Sequence, residues 1–84
     1  MTRVTVTVRP KPGILDPQGE ALRRSLAGLG HPAADVRTGK LFDLVLAVDD
    51  PAEAGRIAAE VAGRVLANPL IEEFQVELAE GVPA

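Results

Sequence analysis

Apolar and polar residues alternate in three stretches of the chain, and this alternation predicts β-strands. Over residues 2–9 every second residue from Val4 onward is valine, so the valines share one face of a half-buried strand. Residues 41–48 alternate as well, but here both faces carry apolar side chains. The third stretch, residues 73–78, is apolar on one face and acidic or amide-bearing on the other. The pattern predicts three strands, of which the middle one has two faces to cover.

Two further stretches repeat apolar residues every three to four positions and predict helices over residues 17–29 and 51–67. Each begins at an Asp-Pro pair, in which the aspartate accepts a backbone N–H as N-cap and the proline is preorganised for the first helical turn. The expected apolar stripes are Leu22, Leu26 and Leu29 in the first helix and Ile57, Val61 and Val65 in the second.

The order strand, helix, strand, helix, strand predicts an α+β fold. We expect one domain spanning residues 1–84, a two-layer sandwich in which two helices cover one face of an antiparallel sheet. The extended segment 34–49 is either one long strand kinked at Gly39 or a short hairpin, and the pattern allows both. Residues 80–84 are expected to fray.

Composition narrows the function. The 84 residues carry a net charge of −3, so a nucleic acid or an anionic membrane is not the expected partner. There is no cysteine, which excludes disulfides and thiolate chemistry. No stretch has a signal-peptide pattern or the length of a membrane span, so a cytoplasmic domain is expected. Small apolar side chains in a short chain favour self-association, as a homodimer or a dimer of dimers, through the sheet surface around residues 41–47.

Residues able to carry out catalysis are scarce. His31 and Ser25 are the only histidine and serine, and neither has an evident partner for acid–base or nucleophilic work. The glycines of residues 28–33 end a helix, whereas a dinucleotide fingerprint opens one, and Gly39-Lys40 lacks the Ser or Thr of a phosphate-binding loop. We therefore predict no catalytic, cofactor-binding or metal-binding residue in this chain.

Five polar residues of the loops are the candidates for contact with a partner. They lie before the first helix and around the Gly39 bend: Lys11, Asp16, Gln18, Arg37 and Lys40. Such a set is either ordinary surface polarity or a patch that recognises an anion or an acidic protein surface.

Three strings of sequence carry a family resemblance. They are Lys-Pro-Gly-Ile-Leu-Asp-Pro-Gln-Gly at 11–19, Arg-Thr-Gly-Lys at 37–40 and Leu-Ala-Asn-Pro-Leu-Ile-Glu at 66–72. In this order and in a chain of this length they resemble the PurS family, the small subunit of phosphoribosylformylglycinamidine (FGAM) synthase in purine biosynthesis.

The resemblance implies a non-catalytic part of a three-part ligase. A synthetase subunit (PurL) uses ATP and Mg²⁺ to activate formylglycinamide ribonucleotide, and a glutaminase subunit (PurQ) releases ammonia from glutamine. A PurS-like chain binds none of these; it associates with itself and bridges the other two subunits, with the five polar residues as candidate contacts. Two other interpretations remain open at this point: an ACT-like domain that senses a small molecule, and an adaptor with no link to purines.

Overall fold

The computed structural model describes residues 1–78 of the chain. Its elements, in order, are β1 (Thr2–Pro10), α1 (Pro17–Gly28), β2 (Lys40–Leu46), α2 (Pro51–Val61), a π-helical turn (Ala62–Leu66) and β3 (Glu72–Leu78). The predicted α+β class is confirmed, and both helices begin at the predicted Asp-Pro pairs. The tail expected to fray, residues 80–84, lies outside the described residues.

The three strands form one antiparallel sheet in the order β2-β1-β3. The first strand of the chain is thus the central one, and β2 and β3 are edges that run parallel to each other on either side of it. Val6 lies opposite Phe42 of β2 and Val76 of β3. Because β1 has a neighbour on both sides, its alternating valines form the middle row of the core: Val4, Val6 and Val8, at most 1% exposed.

Helix α2 covers this row with alanines. Ala54, Ala58 and Ala62 are fully buried, and α2 packs on β1 and β3. The predicted apolar stripe of this helix is therefore not its buried face. Ile57 and Val61 are only half-buried, and Val65 is 75% exposed. The close approach of α2 to the sheet explains the difference, since only methyl side chains fit directly above the valines.

The π-helical turn ends the second helix and accounts for the exposure of Val65. In this turn the Ala67 N–H donates a hydrogen bond of 2.9 Å to the carbonyl of Ala62, which is five residues earlier in the chain. A π-helical turn is wider than an α-helical turn, so five residues instead of four separate side chains that lie on the same side of the helix. Leu66, five positions after Val61, therefore packs against the core where Val65 was expected.

The first helix differs from the prediction that both helices cover the sheet. No residue of α1 belongs to the core of the described chain, and α1 makes no substantial contact with the sheet or with α2. On its predicted apolar stripe, Leu22 is 46% and Leu29 73% exposed. Within residues 1–78 one helix covers the sheet, and the other projects from its end.

The segment before β2 is neither of the two predicted forms. Only Lys40–Leu46 is strand, and residues 30–39 have no regular secondary structure. Gly39 marks the point where this segment joins the sheet, because a Cβ there would lie 2.8 Å from the carbonyl oxygen of Val8. A residue without a side chain is what allows the two backbones to come this close.

Candidate subunit interface

The candidate residues lie at the end of the sheet where three loops meet. Lys11 joins two of the loops: its backbone N–H donates to the Ile71 carbonyl at 2.9 Å, and its Nζ donates to the Pro69 carbonyl at 2.6 Å. The third loop approaches through Arg37, whose Nη2 lies 3.4 Å from the Lys11 carbonyl. The loops so connected are the ones that carry the three strings of the family resemblance.

Asp16 is buried and uses both of its carboxylate oxygens. Oδ1 accepts the Gly19 N–H at 2.9 Å, which caps α1, and Oδ2 accepts the Thr38 N–H at 2.7 Å and the Thr38 hydroxyl at 2.9 Å. The Thr38 N–H, followed by the Gly19 N–H, holds the pKa of Asp16 below its usual 3.8. Asp16, Gly19 and Thr38, here called the Asp16 clamp, tie the start of α1 to the segment before β2.

Gly19 belongs to this clamp because there is no room for a side chain. A Cβ at Gly19 would lie 2.2 Å from the carbonyl oxygen of Val36. The first turn of α1 therefore lies directly on the backbone of the segment that leads to β2. Sequence reasoning identified Asp16 as a cap but missed Gly19 and Thr38, since their contact depends on tertiary structure.

An open depression of about 390 Å³ brings three of the candidates together. Asp16, Gln18 and Lys40 line it, with Thr38 and Glu72 beside them. Two carboxylates face one ammonium group, so the depression has no excess of positive charge with which to hold an anion. The mixture of charge and amide suits contact with a polar protein surface better.

The other two candidates lie outside that depression. Arg37 lines a smaller one, of about 110 Å³, to which Asp16 also contributes. Lys11 is engaged with the backbone carbonyl of Pro69, so its ammonium group orders the loops. The five residues thus share one end of the molecule but do not form a single pocket.

Exposed apolar side chains on the same loops were not among the candidates. Leu15 is 76%, Leu70 82% and Ile71 44% exposed. Large apolar residues on a short loop of a small domain are typical of a surface that a partner covers. The sequence held a signal for them, because Leu70 and Ile71 follow a helix-ending Asn-Pro pair and belong to no strand pattern.

Within the described chain, the side chains that could act in catalysis or metal binding are hydrogen-bonded within their own helix, exposed on a loop or not grouped together. The Ser25 hydroxyl donates to the Ala21 carbonyl at 3.1 Å within α1, and His31 is exposed on the following loop. In residues 1–78, no three His, Asp or Glu side chains are grouped so that they could hold a metal ion. None of the helices in this part of the chain has the length and apolar character to cross a membrane.

Comparison with known proteins identifies the family. The family model PurS, described as phosphoribosylformylglycinamidine (FGAM) synthase, matches residues 3–80. The chain belongs to the PurS family. PurS of Mycobacterium leprae is 40% identical over 77 residues, which cover 90% of this chain and 94% of that protein. PurS of Bacillus subtilis is 34% identical, with 98% of each chain covered. As a PurS chain, the protein is a subunit of the ligase that makes FGAM in purine biosynthesis.

Solved structures of PurS share the fold as well as the sequence. The crystal structure of Methanocaldococcus jannaschii PurS matches with a TM-score of 0.84 and 28% identity, covering 93% of this chain and 95% of that one. A chain of the Thermotoga maritima PurLQS structure matches with a TM-score of 0.83 and 27% identity, covering 92% and 95%. The ACT-like alternative has no support among these relatives.

The first prediction from the site concerns Gly19. Gly19→Ala should lower the free energy of unfolding by roughly 1–3 kcal/mol, because the new Cβ meets a backbone oxygen that has little room to move. Gly28→Ala is the matched control, since no atom of the described residues lies within 4 Å of a Cβ at that exposed position. Urea unfolding of both variants checks this, and equal midpoints would contradict the contact with Val36.

The second concerns acid stability. A pKa lowered by folding means that ionised Asp16 stabilises the folded state above the unfolded value of 3.8, and that this contribution disappears as the pH falls through the lower folded value. Asp16→Asn should therefore melt below the parent at neutral pH, and the difference should narrow once the pH drops below 3.8. Melting temperatures over a pH series measure this; a constant difference would exclude the ionised clamp.

Proposed function

We propose that this chain is a non-catalytic, cytoplasmic subunit that holds the synthetase and glutaminase subunits of FGAM synthase together. The observation that carries the proposal is the match to a chain of the Thermotoga maritima PurLQS structure over 92% of this chain. The chemistry of the described residues supports it, because Ser25 is bonded within its own helix and His31 stands on an exposed loop. ATP, Mg²⁺ and glutamine then bind to the other subunits.

A bridge of this kind contributes by position. One active site releases ammonia, and the other consumes it, so the two must stay in register for the ammonia to reach its target before it is lost to water. Fixing the relative position of reactants can account for several orders of magnitude in rate. The chain supplies this fixed geometry and no reacting group.

The surface proposed to meet the other subunits is the loop end of the sheet. It combines the polar depression of Asp16, Gln18 and Lys40 with the exposed Leu15 and Leu70. An apolar patch surrounded by polar groups is the usual composition of a protein–protein contact. Arg37, beside the depression, and Lys11, within the loops, complete the candidate set.

Self-association is proposed to use β2. In the sheet formed by residues 1–78 it is an edge strand, so its outer backbone groups have no neighbouring strand there. On its outer face Leu41 is 62% and Val45 50% exposed. Each Leu or Val that becomes fully buried contributes about 1.5–3 kcal/mol, which is substantial for a domain with so small a core.

The proposal is tested by reconstituting the synthase from separate subunits. The purified chain alone should neither hydrolyse glutamine nor split ATP, and leaving it out should abolish FGAM formation from glutamine. Free ammonia should restore part of the FGAM formation in the mixture without this chain, because the synthetase site itself is intact. Undiminished glutamine-dependent turnover without the chain would overturn the proposal.

The loop end is tested by Arg37→Ala combined with Lys40→Ala. Exposed charges add little to folding, so the melting temperature should hardly change, while affinity for the other subunits should fall on the order of tenfold. Arg24→Ala with Arg64→Ala is the matched control, since it removes the same charge from two other exposed sites. Added salt should narrow the difference between parent and variant. Assembly at parental affinity would show that the partners bind elsewhere.

A further inference from the structure

The loop between the π-helical turn and β3 is fixed by its own hydrogen bonds. The Asn68 carbonyl accepts the Ile71 N–H at 3.1 Å and the Glu72 N–H at 2.7 Å. The Asn68 side chain accepts the Leu70 N–H at 3.1 Å, and the Glu72 carboxylate accepts the Asn68 N–H at 2.8 Å. Because proline has no N–H, every backbone donor of residues 68–72 thus has an acceptor within the loop. These five residues are here called the Asn68 turn.

Lys11 attaches the Asn68 turn to the end of β1. Its backbone N–H donates to the Ile71 carbonyl at 2.9 Å, and its Nζ donates to the Pro69 carbonyl at 2.6 Å. An ammonium group forms a stronger hydrogen bond to a carbonyl than a neutral donor does. Without Nζ the turn would keep its internal hydrogen bonds but lose one of the two bonds to Lys11 that set its orientation.

The Asn68 turn exposes its apolar side chains. Leu70 is 82% and Ile71 44% exposed, and neither belongs to the core of the described chain. A leucine that buries so little of its surface contributes little to the stability of its own fold. An apolar side chain on a rigid support loses little conformational freedom on binding, so it suits contact with an apolar pocket of a partner.

We propose that Lys11 is a positioning residue of the assembly, which holds the Asn68 turn in the orientation in which Leu70 enters an apolar pocket of another FGAM synthase subunit. The proposal rests on the bridging role proposed above and gives Lys11 a part other than direct contact. Its ammonium group already donates to Pro69 within the chain. Leu70 makes the contact with the partner, and Lys11 acts through Leu70.

The first experiment titrates the chain into the reconstituted synthase and follows FGAM formation from glutamine. Lys11→Met keeps the apolar stem of the side chain and removes the ammonium group. The concentration of chain that gives half of the maximal rate should rise on the order of tenfold. The maximal rate should stay at the parental value, because the saturated assembly has the parental geometry. Lys11→Arg can donate to the Pro69 carbonyl again and should recover most of the affinity.

The second experiment tests whether Lys11 acts through Leu70. Leu70→Ser should raise the half-saturating concentration by about tenfold or more. Adding Lys11→Met to Leu70→Ser should change it by less than about twofold, since the side chain that Lys11 positions is gone. Lys40, the only other lysine of the chain, is the matched control on β2. Any effect of Lys40→Met should multiply with that of Leu70→Ser.

The outcomes separate this proposal from the bridging role. Circular dichroism should show Lys11→Met folded, because the bond from Nζ to Pro69 is exposed; an unfolded chain would assign Lys11 to folding and overturn the proposal. An unchanged half-saturating concentration, or independent effects of Lys11→Met and Leu70→Ser, would also overturn it. The bridging role would stand in each case if leaving out the chain abolishes FGAM formation from glutamine. Undiminished turnover without the chain would overturn the bridging role and this proposal together.

Discussion

The contact between three valines of β1 and three alanines, two in α2 and one at the start of the π-helical turn, is the one on which the rest of the structure depends. It is the only place in the described residues where a sheet face and a helix face are both fully buried. Side chains of this size provide little apolar area, so the core is small for the length of the chain. The larger apolar residues lie at its margins, half-covered or exposed. Because a single chain buries so little apolar area, covering these exposed apolar side chains with another protein chain is favourable.

The Asp16 clamp divides the molecule into a sheet with one helix and an arm that carries the other. Three donors replace the water that the Asp16 carboxylate loses on burial, so their hydrogen bonds offset the cost of desolvation. The same hydrogen bonds set the direction of α1 and hold the loop before α1 against the segment before β2. One side chain thus links the surface proposed for the other subunits to the orientation of α1.

The sequence predicted the elements well and their packing less well. Local chemistry determines where a helix begins, so both Asp-Pro starts were found, and strict alternation identified β1 and the core valines. The row of alanines at the centre of the core was not part of the predicted apolar stripe, since periodicity does not tell how near a helix lies to a sheet. The candidate residues share one end of the molecule, but the hydrogen-bonding partners of Asp16 and the packing of α1 depend on contacts between residues distant in sequence.

The π-helical turn allows the chain to vary in length at that point. Ile57 and Val61 are half-buried, and Leu66, which packs against the core, continues their series with spacings of four and then five residues. Deleting one residue between Val61 and Leu66, such as Gly63, would restore the four-residue spacing of an ordinary α-helix and keep the leucine on the same side. A relative that lacks this residue is therefore expected to retain the same helix, and an alignment gap at Gly63 would mark a change of winding with no loss of structure.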